Sequence, residues 1–318
     1  MTDEPVIRIE NLTKRYGDIV ALDSLSLRLE RGHILGFIGP NGAGKTTTIN
    51  ILVGLARPTS GQAFIVGCDC TRDVKRIQKL VGFMPDTFGT YDNMRVTEYL
   101  DFFGAAFKIP RQQRAARIDE CLELTNATWM RDRYVNVLSH GMKQRIGIAR
   151  TMLHDPEVLI LDEPANGLDP QARIEMRQTI LRLSEMGKTL IVTSHILPEL
   201  SRICDMVAMI TNGKLRAFGT LDQIMQDVRQ RRVIQVQLVD DGQVQAAGDW
   251  LKQKLNSKDE VNPSPAEGEV RFTTSLDARG LAEVLKSLVQ QNIDVLEYHE
   301  VPMDLEDAFM SVTQAADE

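Results

Sequence analysis

The sequence predicts an α/β protein. A parallel-sheet core carries a small antiparallel β-subdomain and a helical insert, and a small α+β domain follows it. Three observations lead there. Nearly wholly apolar runs, Ile34-Leu35-Gly36-Phe37-Ile38, Val158-Leu159-Ile160-Leu161 and Leu190-Ile191-Val192, read as strands buried on both faces. The first passes through a glycine-rich loop into a stretch, Thr46 to Val53, whose apolar positions suit a helix. After about Leu221 the composition shifts and short alternating runs take over. At 318 residues the chain is long for one domain, and two are expected, 1–222 and 223–318.

The glycine-rich loop is Gly39-Pro40-Asn41-Gly42-Ala43-Gly44-Lys45-Thr46, which fits G-x-x-x-x-G-K-[ST] at every fixed position. Strand, loop and helix in that order make this a P-loop NTPase core. Its glycines let backbone N–H groups turn inward as a nest for anionic oxygens. The helix N-terminus adds partial positive charge at the same place. A nucleoside triphosphate is therefore expected here, held by Gly39, Asn41, Gly42, Gly44, Lys45, Thr46 and Thr47. Lys45 would reach the β- and γ-phosphates and the Thr46 hydroxyl would bind Mg²⁺. A glycine turn that happens to precede a lysine is the bland alternative, and the satisfied context counts against it.

Ahead of the loop, Val6-Ile7-Arg8-Ile9-Glu10 and Leu25-Ser26-Leu27-Arg28-Leu29 alternate as half-buried strands, the antiparallel subdomain. Tyr16, in the basic turn between them, is either an aromatic shelf for a purine or a strand-end tyrosine; local sequence favours the second. Beyond the loop, Gly61 to Gly67 reads as a strand and Val81 to Asp86 as a short one broken by Pro85. From about Val96 to Arg133 the pattern turns helical, the start of an inserted subdomain spanning about 96–150. Tyr99, Leu100, Phe102, Phe103 and Phe107 are placed on one side, with the phenylalanines expected in the core.

Leu138-Ser139-His140-Gly141-Met142-Lys143-Gln144-Arg145 opens a helix running to Leu153, with Ser139 as N-cap. Val158 to Leu161 ends in Asp162-Glu163, and ligands sit at the carboxyl ends of such strands. Asp162 is placed to hold Mg²⁺ through water, and Glu163 to polarise an attacking water. Solvated strand-end acids would be the default in isolation. Asn166-Gly167-Leu168-Asp169-Pro170 is a turn into the next helix, and a strand from Leu190 ends in His195. A lone histidine is more often structural, but this one ends a strand of the sheet that carries the two acids. Asn212-Gly213 marks a hairpin.

In the second part, Val233 to Val239 is a strand, a helix surrounds Trp250-Leu251, and Asn256 to Gly268 is a polar loop carrying Pro263 and Pro265. A strand at Val270 to Thr273, a helix at Leu281 to Val289, an extended run at Ile293 to Tyr298 and an amphipathic helix at Leu305 to Val312 complete it. No catalytic constellation is visible there.

Composition excludes some classes. Hydrophobic content of 43% supports a normal core, while a net charge of -7 argues against general nucleic-acid binding. The four cysteines, Cys68, Cys70, Cys121 and Cys204, are expected as free, mostly buried thiols. The polar N-terminus is no signal peptide, and no apolar run approaches the roughly 20 residues of a membrane span. A cytoplasmic chain is expected, with any membrane role supplied by a partner.

Taken together, the phosphate loop, Leu138 to Arg145, Leu159 to Glu163, the Asn166 to Asp169 turn and Ser194-His195 resemble the ATPase subunit of an ABC transporter, from about Val6 to Thr220. The resemblance implies that Tyr16 stacks on adenine, Asp162 supports the metal, Glu163 is the general base and His195 contacts the γ-phosphate. Ser139 and Gly141 would contact ATP held by another ATPase subunit, in a homodimer or heterodimer packed head to tail. The family usually has glycine where this chain has His140. It usually has Gln after the strand at Val81, touching Mg²⁺ and relaying to the membrane partner; Asp86 stands there as the metal candidate. The signature form, and Leu305-Glu306-Asp307-Ala308-Phe309, resemble exporter ATPases that serve a separate multi-span permease at the cytoplasmic face of the membrane. The permease-facing surface is expected between Val81 and Arg133. A soluble ABC ATPase acting on nucleic acid or ribosomes is the alternative, and the acidic charge and single motif set weigh against it.

Overall fold

Alternation in the first thirty residues builds a long hairpin of β1 (Ile7–Tyr16) and β2 (Ile19–Leu29), with Tyr16 opposite Ile19 at its tip. Ile7, Ile9, Leu12, Leu22, Leu25, Leu27 and Leu29 are its buried residues. The computed structural model describes residues 5–87, 89, 91, 93–195, 200–224, 232–255 and 261–301. The apolar run 34–38 is β3 (Ile34–Ile38), buried throughout, and leads to α1 (Lys45–Leu52). Next come β4 (Ser60–Ile65), β5 (Cys68–Asp69), α2 (Val74–Leu80) and β6 (Val81–Met84). The helical insert holds α3 (Val96–Ala106), α4 (Arg111–Leu124) and α5 (His140–Met152). The core closes with β7 (Val158–Leu161), α6 (Pro170–Glu185), β8 (Thr189–Ser194), β9 (Met206–Thr211) and β10 (Lys214–Thr220).

These elements form an antiparallel sheet in the order β2-β1-β4-β5 and a larger one in the order β10-β9-β3-β8-β7-β6. In the larger sheet every neighbouring pair is parallel except the edge hairpin of β9 and β10. The register sets Ile38 beside Ser194 and Leu161 beside Val192. The carboxyl ends of β3, β8 and β7 are therefore level and adjacent. That single fact brings the loop after Ile38, the acids after Leu161 and the histidine after Ser194 to one edge.

Contacts divide the chain into Met1–Leu221 and Asp222–Glu318. The second unit contains β11 (Arg232–Leu238), α7 (Val244–Lys254), β12 (Val261–Ser264), β13 (Glu269–Thr274), α8 (Ala278–Gln290) and β14 (Val295–Val301). Its sheet order is β12-β13-β11-β14, antiparallel throughout. Ile234, Val236, Val270 and Phe272 pack with Leu251 and Leu288 in its core. Asp277 caps α8 by accepting from Gly280 N at 2.9 Å.

Four expectations need correction or completion. The predicted loop 256–268 contains β12, a strand that tolerates Pro263 because it lies on the sheet edge, pairing only with β13. The helical pattern 96–133 is realised as two helices, α3 and α4, separated where Lys108 takes φ 61° and Pro110 precedes the second. Phe102 and Phe107 are not core: α3 buries Val96, Tyr99, Leu100 and Gly104, leaving Phe102 45% and Phe107 39% exposed, while Phe103 is half-buried against Tyr99. The amphipathic helix expected over Leu305 to Val312 lies outside the described residues. All four cysteines are buried and free, as expected. Among the described residues no helix is long and apolar enough to cross a membrane.

Candidate functional site

The loop between β3 and α1 can form only with glycine at two positions. Gly44 has φ 110°, and a Cβ there would stand 2.6 Å from the Ala21 carbonyl oxygen of β2. A Cβ on Gly39 would stand 2.3 Å from the Ile210 carbonyl oxygen. Real Cβ contacts are never that short, so both residues let the loop seat against β2 and β9. The loop residues Pro40 to Thr47 line a cavity of about 370 Å³ with Asp86, Asp162, Glu163, Asn166 and His195.

Lys45 is 7% exposed, and its Nζ donates to Gly39 O at 2.5 Å and Pro40 O at 3.3 Å. Its ammonium is 3.9 Å from Glu163 Oε1. Burial pulls the lysine pKa down, against the opposing pull of Glu163 and Asp162. Asp162 is 6% exposed. Burial pushes its carboxyl above the usual range; the Thr193 hydrogen bond opposes this, the Asp86 charge adds to it and Lys45 opposes it.

Thr193 joins the two acids of the β7 end. Its hydroxyl donates to Asp162 Oδ1 at 2.6 Å and accepts from Glu163 N at 2.9 Å. Glu163 takes φ 50°, a left-handed backbone that is rare outside glycine and asparagine and is held here by that bond. Its carboxylate lies 3.0 Å from His195 Nδ1 through Oε2. A carboxylate between a buried ammonium and an imidazole suits a base that takes a proton from water.

Oxygen donors dominate the metal-facing part of the cavity. Thr46, Asp86 and Asp162 line it together, two carboxylates and a hydroxyl facing one cavity. Mg²⁺ suits that set, because it takes one or two carboxylates plus substrate phosphates instead of a full protein cage.

The other expected residues lie apart. Tyr16 is 49% exposed at the β1–β2 tip, with Lys14 Nζ 4.7 Å from its ring centre, and does not line the cavity. Ser139 caps α5, its hydroxyl accepting from Met142 N at 3.4 Å. A Cβ on Gly141 would stand 3.3 Å from Ala172 Cβ, so this helix start packs closely on α6. Neither Ser139 nor Gly141 lines the cavity of its own chain.

Sequence reasoning missed Thr193, and it read Asn166 only as part of a turn. Asn166 lines the cavity and its Nδ2 donates to Asp86 Oδ1 at 3.4 Å. For Thr193 a signal existed: a buried hydroxyl two residues before His195, following the apolar run Leu190-Ile191-Val192. In a buried strand such a group needs a polar partner, and the neighbouring strand end offers Asp162.

Comparison with known proteins agrees with this architecture. A family model described as "ABC transporter" matches residues 22–166. The Nod factor export ATP-binding protein I of Ralstonia nicotianae is 33% identical over 97% of this chain and 94% of that protein. The bacitracin transport ATP-binding protein BcrA of Bacillus licheniformis is 37% identical over 96% of this chain and 97% of its own length. Among solved structures, an ATP-binding subunit of an ABC transporter superposes with TM-score 0.64 at 27% identity, over 70% of this chain and 93% of that one. A dimeric bacterial ABC transporter cassette superposes with TM-score 0.61 at 26% identity, over 68% of this chain and 98% of that one.

Proposed function

Because this chain belongs to the ABC transporter ATP-binding family, we propose that it is the ATP-hydrolysing motor of an exporter, closing as a dimer on ATP and driving a separate membrane permease. The single observation that carries this reading is the Glu163 carboxylate between Lys45 and His195, lining the phosphate-loop cavity. Relatives that match over nearly the full chain are named for Nod factor export and bacitracin transport. The exporter class follows from that likeness, and a nucleic-acid or ribosomal role has no comparable support.

In this reading Gly39, Asn41, Gly42, Gly44, Lys45, Thr46 and Thr47 cradle the phosphates, and Tyr16 stacks on adenine. Thr46, Asp162 and Asp86 would hold Mg²⁺, which would neutralise phosphate charge. Glu163 takes the proton of the attacking water, and His195 orients the carboxylate and reaches the γ-phosphate. Ser139 and Gly141 serve the ATP of the opposite subunit, in keeping with neither lining the cavity of its own chain. Residues 1–222 form the ATP-binding domain and 223–318 an accessory domain. The permease docks on the helical insert, where Phe102 and Phe107 are open to solvent. The chain is thus held at the cytoplasmic membrane face.

Phosphate release by the purified full chain, with and without Mg²⁺, beside Lys45→Ala tests the reading. Mg²⁺-dependent release that Lys45→Ala abolishes is expected. Release that survives in Lys45→Ala, or no release by wild type together with its permease, would overturn it.

A further inference from the structure

Where the family usually has glycine, His140 makes contacts that glycine cannot. Its Nε2 lies 2.9 Å from the backbone carbonyl of Asn166, an acceptor only, so the ring donates its Nε2–H. Asn166 heads the turn that leaves the β7 acids, its N–H donating to Glu163 O at 3.1 Å. Its side chain meanwhile donates to Asp86 Oδ1 at 3.4 Å. One turn of α5 later, Gln144 Nε2 donates to Asp86 O at 3.4 Å. The next residue of the turn is Gly167, at φ 67°. A Cβ there would stand 3.6 Å from the imidazole edge, so the ring lies directly on the turn.

We infer that His140 is a positioning residue for hydrolysis, clamping the Asn166 peptide so that Glu163 and Asp86 keep their places in the cavity. The inference rests on the assignment of Glu163 as base. His140 itself touches none of the reacting groups; it acts through Asn166. The residue is exposed, so substitutions there leave the core packing alone.

Two variants separate the hydrogen bond from the ring. His140→Gln keeps a donor at the reach of Nε2, whereas His140→Phe keeps the ring and loses the donor. With the full chain, His140→Phe is expected to lower kcat about fivefold, the scale of one net hydrogen bond, with ATP KM unchanged. His140→Gln should recover most of that loss. The five histidines also allow assignment by single substitution, and the ¹⁵N imidazole signal of His140 should show a protonated Nε2. The inference is overturned if Phe and Gln variants lose kcat equally, if both match wild type, or if KM alone rises. Glu163→Gln is run beside them. Wild-type hydrolysis by that variant removes the base assignment and this inference together, whereas an inactive Glu163→Gln with unaffected His140 variants removes only the inference.

Discussion

Thr193 and Asp162 are joined side chain to side chain by a 2.6 Å hydrogen bond from the threonine hydroxyl to Oδ1. The same hydroxyl accepts the Glu163 N–H at 2.9 Å. One buried oxygen thus fixes both the expected metal carboxylate and the backbone of the expected base. Thr193→Val keeps the shape and removes both bonds. It should lower kcat about tenfold, the scale of one charge-assisted hydrogen bond, and leave ATP affinity nearly unchanged. Steady-state kinetics check this.

Asp162 pits stability against activity. Burial disfavours its charge in the nucleotide-free fold, so Asp162→Asn should raise the melting temperature at neutral pH by on the order of 2 °C while abolishing Mg²⁺-dependent hydrolysis. The sign follows from linkage: the folded protein holds this proton to higher pH than the unfolded chain, whose value is near 3.8. The contribution of Asp162 to stability therefore falls as pH rises from there through its raised folded pKa. On acidification across that window the gap between wild type and Asp162→Asn should close. Calorimetric melts over pH measure it.

Asp86 separates a metal role from a structural one. Asp86→Asn keeps an acceptor for Asn166 and removes the charge that presses on Asp162. If Asp86 helps hold Mg²⁺, the Mg²⁺ needed for half-maximal hydrolysis should rise about tenfold. A titration of rate against Mg²⁺ reads this directly.

Phe102 tests the permease-facing surface. It is 45% exposed on α3 and lines none of the nucleotide cavity. Phe102→Asp should retain basal hydrolysis and lose co-purification with the permease and export. Intact export in this variant contradicts the assignment.

The legible parts of the sequence were those whose pattern is enforced locally. The glycines at 39 and 44 are required by backbone approach, and the runs at 34–38 and 158–161 by burial on both faces. What escaped depends on contacts between distant segments. Thr193 acquires its role from Asp162, 31 residues away in sequence, and His140 from a turn it meets only when α5 docks. Phe102 and Phe107 misled because composition alone cannot say which side of α3 finds a partner. Pro263 masked β12 because proline is excluded from central strands and tolerated at an edge, and only the assembled sheet reveals the edge.

The most direct test of the motor is Glu163→Gln with Mg²⁺-ATP, followed by light scattering during size exclusion and by phosphate release. The variant should hydrolyse about a thousandfold more slowly than wild type. It should also elute at twice the 35.7 kDa chain mass, and adding Lys45→Ala should return it to the monomer. A folded, ATP-bound variant that stays monomeric contradicts the head-to-tail closure, and one that hydrolyses at the wild-type rate contradicts Glu163 as the base.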